Sequence, residues 1–491
     1  MRTAKQYFED VKKMKRNVYI GGGRVSRDDP RLLPNINIMK TTFELARRAD
    51  WQGLITAQSS LTGKKINRFT HLPQNPWDLM QKQKMIRLAS TRTGGCIQRC
   101  MGQDAICALS VATKEIDEKF GTGYHERFMN YIRDYQERDL AGACAQTDMK
   151  GDRSKRPFEQ EDPDAYVHVV EKKSDGIVVS GVKISITMAA IADEIIVVPT
   201  RALTKHDKDF AVAFAIPADW DDIRLITRPV YLREKKKFKS PFAEMGASES
   251  VIVFDNTFIP MERVFMCGEW EFGRRLALLF ADSHRFSYTG CKPAVSDILC
   301  GSTALIAEAN DIEKASHVRE KLSEFIGVGE LAYAAGIAAA IYGERASSGT
   351  FCPNEMYANI GRRLMGENIY HEFNILTEIA GGLAVTLPFE DDFLAKETKQ
   401  DLKKLMKRNP KLSYENSCRA WRFVEDLAAS NMAVWIQIAG VHGGGSPIME
   451  TITLNINTDY EAKKDIAKYL AGINEELDQS KEIKPKPNPI K

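Results

Sequence analysis

Ala165-Tyr-Val-His-Val-Val170, Ser174-Asp-Gly176 and Ile177-Val-Val-Ser-Gly-Val-Lys-Ile184 form the stretch on which the fold turns. Apolar and β-branched residues on either side of a Ser-Asp-Gly turn read as a β-hairpin. Glu194-Ile-Ile-Val-Val-Pro199, Phe210-Ala-Val-Ala-Phe-Ala-Ile216 and Ser250-Val-Ile-Val-Phe254 add strands around it. Working outward, both flanks change to helical spacing. Upstream, Trp77 to Leu88 spaces its apolar residues three and four apart, and Thr41-Thr-Phe-Glu-Leu-Ala-Arg-Arg48 looks like a helix opening. Cys96 to Phe120 continues the helical pattern to a stop at Gly121-Thr-Gly123. Phe128, Tyr131, Ile132 and Tyr135 then share one side of a helix over Glu126 to Leu140. Downstream of Trp270 the helical pattern returns and holds to about Ile473, with Ser417 to Ile438 as one long helix. The expected fold class is α+β. An N-terminal helical domain spans 1–140, a central β domain 141–275 and a C-terminal helical bundle 276–473, followed by a flexible Pro/Lys-rich tail over 474–491.

Composition narrows the function classes. Basic and acidic residues nearly cancel, 69 against 66, so neither nucleic acid nor an anionic membrane surface is expected as a partner. The longest apolar run, Leu331 to Tyr342, is shorter than a membrane span, and its alanine content suits a tightly packed buried helix. The N-terminus carries no apolar signal-peptide core, which points to the cytoplasm, where the nine cysteines are thiols rather than disulfides. The basic run Arg233-Glu-Lys-Lys-Lys-Phe-Lys239 reads as a solvated loop, with Lys235–Lys239 kept as a candidate reader of a nucleotide phosphate.

Two stretches carry chemistry. Gly94-Gly-Cys96-Ile-Gln-Arg-Cys100 holds a C-x3-C pair, and His284-Arg-Phe-Ser-Tyr-Thr-Gly-Cys291 holds a His-x6-Cys pair. If both are helical, each pair stacks on one face, and facing helices present three thiolates and one imidazole to a shared point. The glycines allow close backbone approach at a helix start, where the dipole favours thiolate. Thiolates suit zinc or an iron–sulfur cluster. Structural zinc more often uses a C-x2-C knuckle, so ligands on long helices favour [4Fe–4S], with histidine in place of the fourth cysteine. The competing reading is that these cysteines are ordinary core residues. Cys107 competes with Cys96, Cys300 lies on the wrong face, and Cys144, Cys267, Cys352 and Cys418 read as core. There is no G-x-G-x-x-G opening and no Walker A loop. Gln146-Thr-Asp-Met-Lys-Gly-Asp-Arg153 and Glu378-Ile-Ala-Gly-Gly-Leu383 remain as segments that either hold a large cofactor or simply turn the chain.

These motifs, together with Lys314-Ala-Ser-His-Val318 and His442-Gly-Gly-Gly-Ser-Pro447, closely resemble the 4-hydroxybutyryl-CoA dehydratase family, in order over nearly the whole chain. Its wider relatives are the flavin-dependent 4-hydroxyphenylacetate 3-monooxygenases, which share an acyl-CoA dehydrogenase-like fold with a β-barrel-like centre but lack the cluster ligands. The resemblance implies FAD beside a [4Fe–4S] cluster held by Cys96, Cys100, Cys291 and His284. It places the flavin against Gln146, Thr147, Asp148, Lys150, Gly151, Asp152, Arg153, Ser185 and Thr187, with Gly381 and Gly382 as further contacts. A homotetramer is implied, in which a neighbouring subunit completes the flavin site.

The activity so implied is radical dehydration of 4-hydroxybutyryl-CoA to crotonyl-CoA without net redox change, with vinylacetyl-CoA Δ-isomerase activity alongside and anaerobic handling. His284, Tyr288, Glu249, Lys292 and Gln98 match the family's catalytic positions, His284 taking the β-proton. Tyr288 also reads as a core aromatic, and Lys292 as a helix-surface charge. One position departs from the pattern: the glutamate three residues before His442 is here Ala439, so Glu249 stands alone. That leaves open another hydroxyacyl-CoA, or mainly double-bond isomerisation. The alternatives are a cluster-free FAD-dependent aromatic hydroxylase and a non-catalytic scaffold with structural cysteines.

Overall fold

The computed structural model describes residues 1–232, 237–238, 240–406, 408–410 and 412–473, and its elements follow the expected order of helices, sheets and helices. The tail over 474–491 lies outside the described residues, as do Lys235, Lys236 and Lys239 of the basic run. Lys237 in that run is exposed and pairs with Glu415 at 3.2 Å.

Two sheets face each other at the centre. The larger has six strands in the order Gly23–Val25, Val18–Ile20, Ile223–Tyr231, Gly246–Pro260, Gly176–Thr187 and His168–Lys172. The smaller has four, in the order Val264–Cys267, Val212–Pro217, Glu194–Val197 and Gly142–Ala145. The expected hairpin is the antiparallel pair His168–Lys172 and Gly176–Thr187. Gly176–Thr187 also pairs with Gly246–Pro260 in a register that sets Thr187 opposite Glu249. Inward-facing residues of both sheets share one apolar core, in which Phe214 meets Phe254 edge to face at 5.7 Å. The region before Leu140 is not wholly helical. Val18–Ile20 and Gly23–Val25 join the larger sheet, connected through Gly21 and Gly22 at positive φ, the conformation a tight hairpin requires and glycine supplies freely.

The Gly273–Ala309 helix is the axis of the helical part. It packs against the Pro76–Ser90, Cys100–Phe120, Ser316–Ile341 and Glu355–Ala380 helices. Three helix readings need correction. Thr41 lies near the end of the Leu33–Leu45 helix, whose start is set by Pro34 in the first turn, where a missing N–H is harmless. Ser417 to Ile438 is two helices, Tyr414–Ala429 and Asn431–His442. Between them Ser430 is extended and caps the second, accepting from the Ala433 N–H at 3.0 Å. The alanine-rich helix is buried on one face only. Gly329, Ala332, Gly336 and Ala339 face inward, where small residues allow close helix contact, whereas Leu331 and Tyr342 stand 64% and 57% exposed. Among the described residues this helix alone is long and apolar enough to cross a membrane, yet its inner face packs on three neighbouring helices.

Candidate active site

His284, Tyr288 and Cys291 fall on successive turns of the Gly273–Ala309 helix, all buried. The helix runs unbroken through Pro293, which has no N–H for the Thr289 carbonyl four residues back. The Gln83 side-chain amide donates to that carbonyl instead at 3.1 Å, and to the Tyr333 carbonyl at 2.8 Å. A second helix thus repairs the one that carries His284 and Cys291.

The cysteine pair is built differently. The helix begins only at Cys100, so Cys96 lies in a loop and the expected single helical turn does not form. The cause is local. Gly94 and Gly95 adopt φ of +72° and +109°, and Gln98 adds a third left-handed residue at +60°. The close approach expected at the glycines is real: a Cβ there would come within 2.4 Å of Phe242 and 2.8 Å of Val295. The residues between the cysteines pin the loop. Ile97 is fully buried, Gln98 Oε1 accepts from Asn35 Nδ2 at 2.6 Å, and Arg99 pairs with Asp139 at 2.6 Å with its guanidinium over Phe43.

These elements bring the ligand-type residues together. Cys100, Tyr288 and Cys291 share one apolar cluster with Ile86, Ala89 and Ile97. Burial pushes the Cys100 thiol well above its ordinary range, and Asp104, Cys96 and Cys291 add to the push. Burial lifts Cys291 to about 12, and raises Cys96 as well, in both cases against the pull of Lys292. Buried thiols that resist ionisation alone become thiolates when a cation binds them. Cys107 belongs instead to the large central core. Cys300 directs its sulfur to the Leu322 carbonyl, and Cys267 and Cys352, expected in the core, are only half-buried because each sits on a short strand at the surface of its region.

His284 Nδ1 lies 2.8 Å from Asp104 Oδ2, and Asp104 Oδ1 receives Lys82 Nζ at 2.5 Å and the Ser287 hydroxyl at 2.9 Å. The imidazole stacks on Phe280 and meets the edge of Tyr288. One donor atom each from Cys100, Asp104 and His284 lie within 4.8 Å of one another. Three soft thiols and one oriented imidazole are a donor set that suits an iron–sulfur cluster.

Glu249 faces the same region, close enough for its charge to raise Cys96. It accepts from the Thr187 hydroxyl at 2.8 Å and from Trp435 Nε1 at 2.9 Å. Burial raises its pKa, and these two hydrogen bonds oppose the rise, Trp435 more strongly. Lys292 is buried, with its ammonium over the Tyr288 ring at 5.0 Å, so it is not a surface charge. Arg362 lies over the same ring at 4.8 Å. The Tyr288 hydroxyl donates to the Ala439 carbonyl at 2.6 Å, which puts the departing position beside the site.

The candidate flavin residues form a looser group. Gln146 Nε2 donates to the Ala277 carbonyl at 3.1 Å, and the Thr147 carbonyl accepts from Ile184 at 2.8 Å. Asp148 is buried and paired with Lys183 at 2.7 Å. Lys150, Gly151, Asp152 and Arg153 lie on an exposed loop, in which Asp152 caps Ser154 at 2.9 Å. Ser185 is exposed at φ +54°, and Gly381 and Gly382 are exposed where the Glu355–Ala380 helix ends. Sequence reasoning missed Asp104, Lys82, Trp435 and Arg362. Only Asp104 had a local signal, lying one helical turn beyond Cys100.

Comparison with known proteins places these features in a family. The family models described as 4-hydroxyphenylacetate 3-hydroxylase N terminal and C terminal match residues 3–266 and 274–472. The 4-hydroxybutyryl-CoA dehydratase/vinylacetyl-CoA-Delta-isomerase of Clostridium aminobutyricum is 39% identical, over 96% of this chain and 99% of that protein. An oxygen-tolerant archaeal 4-hydroxybutyryl-CoA dehydratase from N. maritimus superposes with a TM-score of 0.92 at 37% identity, covering 99% and 97% of the two chains. The 4-hydroxyphenylacetate 3-monooxygenase oxygenase component of Thermus thermophilus is more distant, 26% identical over 80% of this chain and 81% of its own length. The chain belongs to the 4-hydroxyphenylacetate 3-hydroxylase family and, within it, to the 4-hydroxybutyryl-CoA dehydratase-like lyases.

Proposed function

We propose that the chain is an FAD- and [4Fe–4S]-dependent dehydratase of a 4-hydroxyacyl-CoA. Conversion of 4-hydroxybutyryl-CoA to crotonyl-CoA is the leading reaction, with vinylacetyl-CoA Δ-isomerisation alongside. The observation that carries this reading is the meeting of half-buried Cys96 with buried Cys100, Cys291 and an oriented His284. Those four residues would hold the cluster. Gln146 to Arg153, Ser185 and Thr187 would line the flavin, and the exposed Gly381–Gly382 pair would meet the flavin of a neighbouring subunit in a cytoplasmic homotetramer. The outward apolar side chains Ile326, Leu331 and Tyr342 suit such subunit contacts. When bound, the cluster supplies Lewis acidity at the departing hydroxyl and the flavin a transient electron store.

The residues of the chain handle the protons. Glu249, oriented by Thr187 and Trp435, is the base for the α-proton, which the thioester acidifies. His284 keeps Nδ1 on Asp104, leaving Nε2 as the atom that faces metal or receives the β-proton. Lys292 and Tyr288 set a positive charge and a polarised hydroxyl beside the thiols. Gln98, bonded to Asn35, fixes the loop that carries Cys96. With Ala439 in place of a second glutamate, Glu249 works without a carboxylate partner from that position, and the acyl group accepted is the open variable.

The test is iron, acid-labile sulfide and flavin per subunit on protein purified without oxygen, followed by turnover of 4-hydroxybutyryl-CoA. About four iron and four sulfide with flavin support the reading. Flavin without iron moves the chain to the aromatic hydroxylases. Cofactors without turnover point to a different hydroxyacyl-CoA.

A further inference from the structure

The inference drawn here rests on the cluster reading above and concerns a residue outside the expected ligand set. Asp104 lies within 4.8 Å of both the Cys100 and His284 donor atoms, so it is either a ligand or the group that aims the histidine. Its hydrogen bonds point to the second role. Asp104 is fully buried. Its Oδ2 lies 2.8 Å from His284 Nδ1, and its Oδ1 takes both Lys82 Nζ at 2.5 Å and the Ser287 hydroxyl at 2.9 Å. Both oxygens are engaged by three donors. Oδ1 has both lone pairs taken by Lys82 and Ser287, and Oδ2 is directed at His284 Nδ1, which is the arrangement of a carboxylate that aims a histidine.

We propose that Asp104 is a positioning residue: it holds His284 with Nδ1 as hydrogen-bond donor and Nε2 as the free lone pair, while Lys82 and Ser287 hold Asp104. Stacking on Phe280 and the edge contact with Tyr288 fix the plane of the ring but not which nitrogen is protonated. The carboxylate fixes that. The three anchoring side chains come from three helices: Lys82 from Pro76–Ser90, Asp104 from Cys100–Phe120 and Ser287 from Gly273–Ala309. The same contacts therefore lock the helix that opens at Cys100 onto the helix that carries His284 and Cys291. Asp104 sets the distance between the two halves of the ligand set as well as the tautomer.

The experiment uses holoenzyme purified without oxygen, unsubstituted and as Asp104→Asn, Asp104→Glu and Ser287→Ala. Iron retention under a chelator is measured together with the nitrogen hyperfine coupling of the reduced cluster by pulsed EPR. Asp104→Asn is expected to weaken iron retention about 10–100-fold, the range for loss of a carboxylate behind a ligating histidine, and to alter the nitrogen coupling while flavin content holds. Asp104→Glu should restore part of the coupling. Ser287→Ala keeps the Lys82 pair and reads the same coupling with a smaller loss, even if Asp104→Asn fails to fold. Chelator resistance and nitrogen coupling unchanged in both Asp104→Asn and Ser287→Ala, with iron present in the unsubstituted enzyme, overturns this inference alone. Iron absent from the unsubstituted enzyme overturns the cluster reading, and this inference with it.

Discussion

The cysteine–histidine region and the candidate flavin region are built on opposite plans. Around Cys100 and Cys291 most side chains with a role are buried and pinned by partners: Gln98 by Asn35, Arg99 by Asp139, His284 by Asp104, with Cys96 half-buried. Around Gln146 to Arg153 the backbone is held by the sheets, but the loop, Ser185 and the Gly381–Gly382 pair face outward. The difference teaches where each half is completed. The candidate metal ligands meet within one chain, whereas the candidate flavin residues are left open at a surface. The sharpest break of this comparison is Cys291→Ala. It should remove measurable dehydratase turnover and most of the iron while leaving flavin bound. Turnover equal to the unsubstituted enzyme would falsify the cluster mechanism, and parallel loss of flavin would show the two halves are not separable.

The next effect is on stability. Lys82 and Asp104 are a buried pair, and Lys82→Met strands a carboxylate without its counter-charge, at a cost of about 3–5 kcal/mol. Lys237→Ala removes an exposed pair with Glu415 and should cost about 0–1 kcal/mol. Urea unfolding of the two variants side by side measures the contrast. Equal midpoints would mean that the buried pair is not the anchor its geometry suggests.

A smaller loss follows from Gln83→Leu. That change takes from the Thr289 carbonyl, already without an N–H at Pro293, the donor that Gln83 supplies, at about 1–3 kcal/mol. The loss should be accompanied by weaker iron retention, because the weakened turn, Thr289 to Pro293, contains Cys291. Thermal unfolding and iron content unchanged from the parent would show that this turn needs no support.

These residues also mark how far the sequence could be read. Period-two and period-3.6 patterning gave the order of helices and sheets, because burial of one face imposes it locally. The His-x6-Cys spacing was legible for the same reason. The C-x3-C pair was misjudged in shape, since three left-handed residues, one of them the non-glycine Gln98, delay the helix to Cys100. Asp104 was within reach as a same-face neighbour of Cys100. Lys82, Gln83 and Trp435 were not: they act from helices distant in sequence, and only tertiary packing brings them to the site. The exposed face of the Ser316–Ile341 helix was hidden for a related reason, because an alanine-rich run looks alike whether one face or all of it is covered.

The finest test falls on Glu249, which sits at the seam of the two regions, bonded to Thr187 of the candidate flavin region and felt by Cys96 of the candidate metal region. Its pKa is raised by burial and held back by the hydrogen bonds of Trp435 and Thr187, both of which favour the charged form. Trp435→Phe removes the stronger of the two, so the pKa should rise further. A base acts ionised, so the acid limb of the rate profile should move to higher pH. Turnover on that limb should fall about tenfold, the loss of one hydrogen bond to a charged group, and recover toward the parent rate as pH increases. Thr187→Val should move the limb the same way by less, and Glu249→Gln should abolish it. An acid limb that stays in place in Trp435→Phe would remove Glu249 as the titrating base and pass the proton-accepting role to the metal side of the seam, where His284 is the remaining candidate.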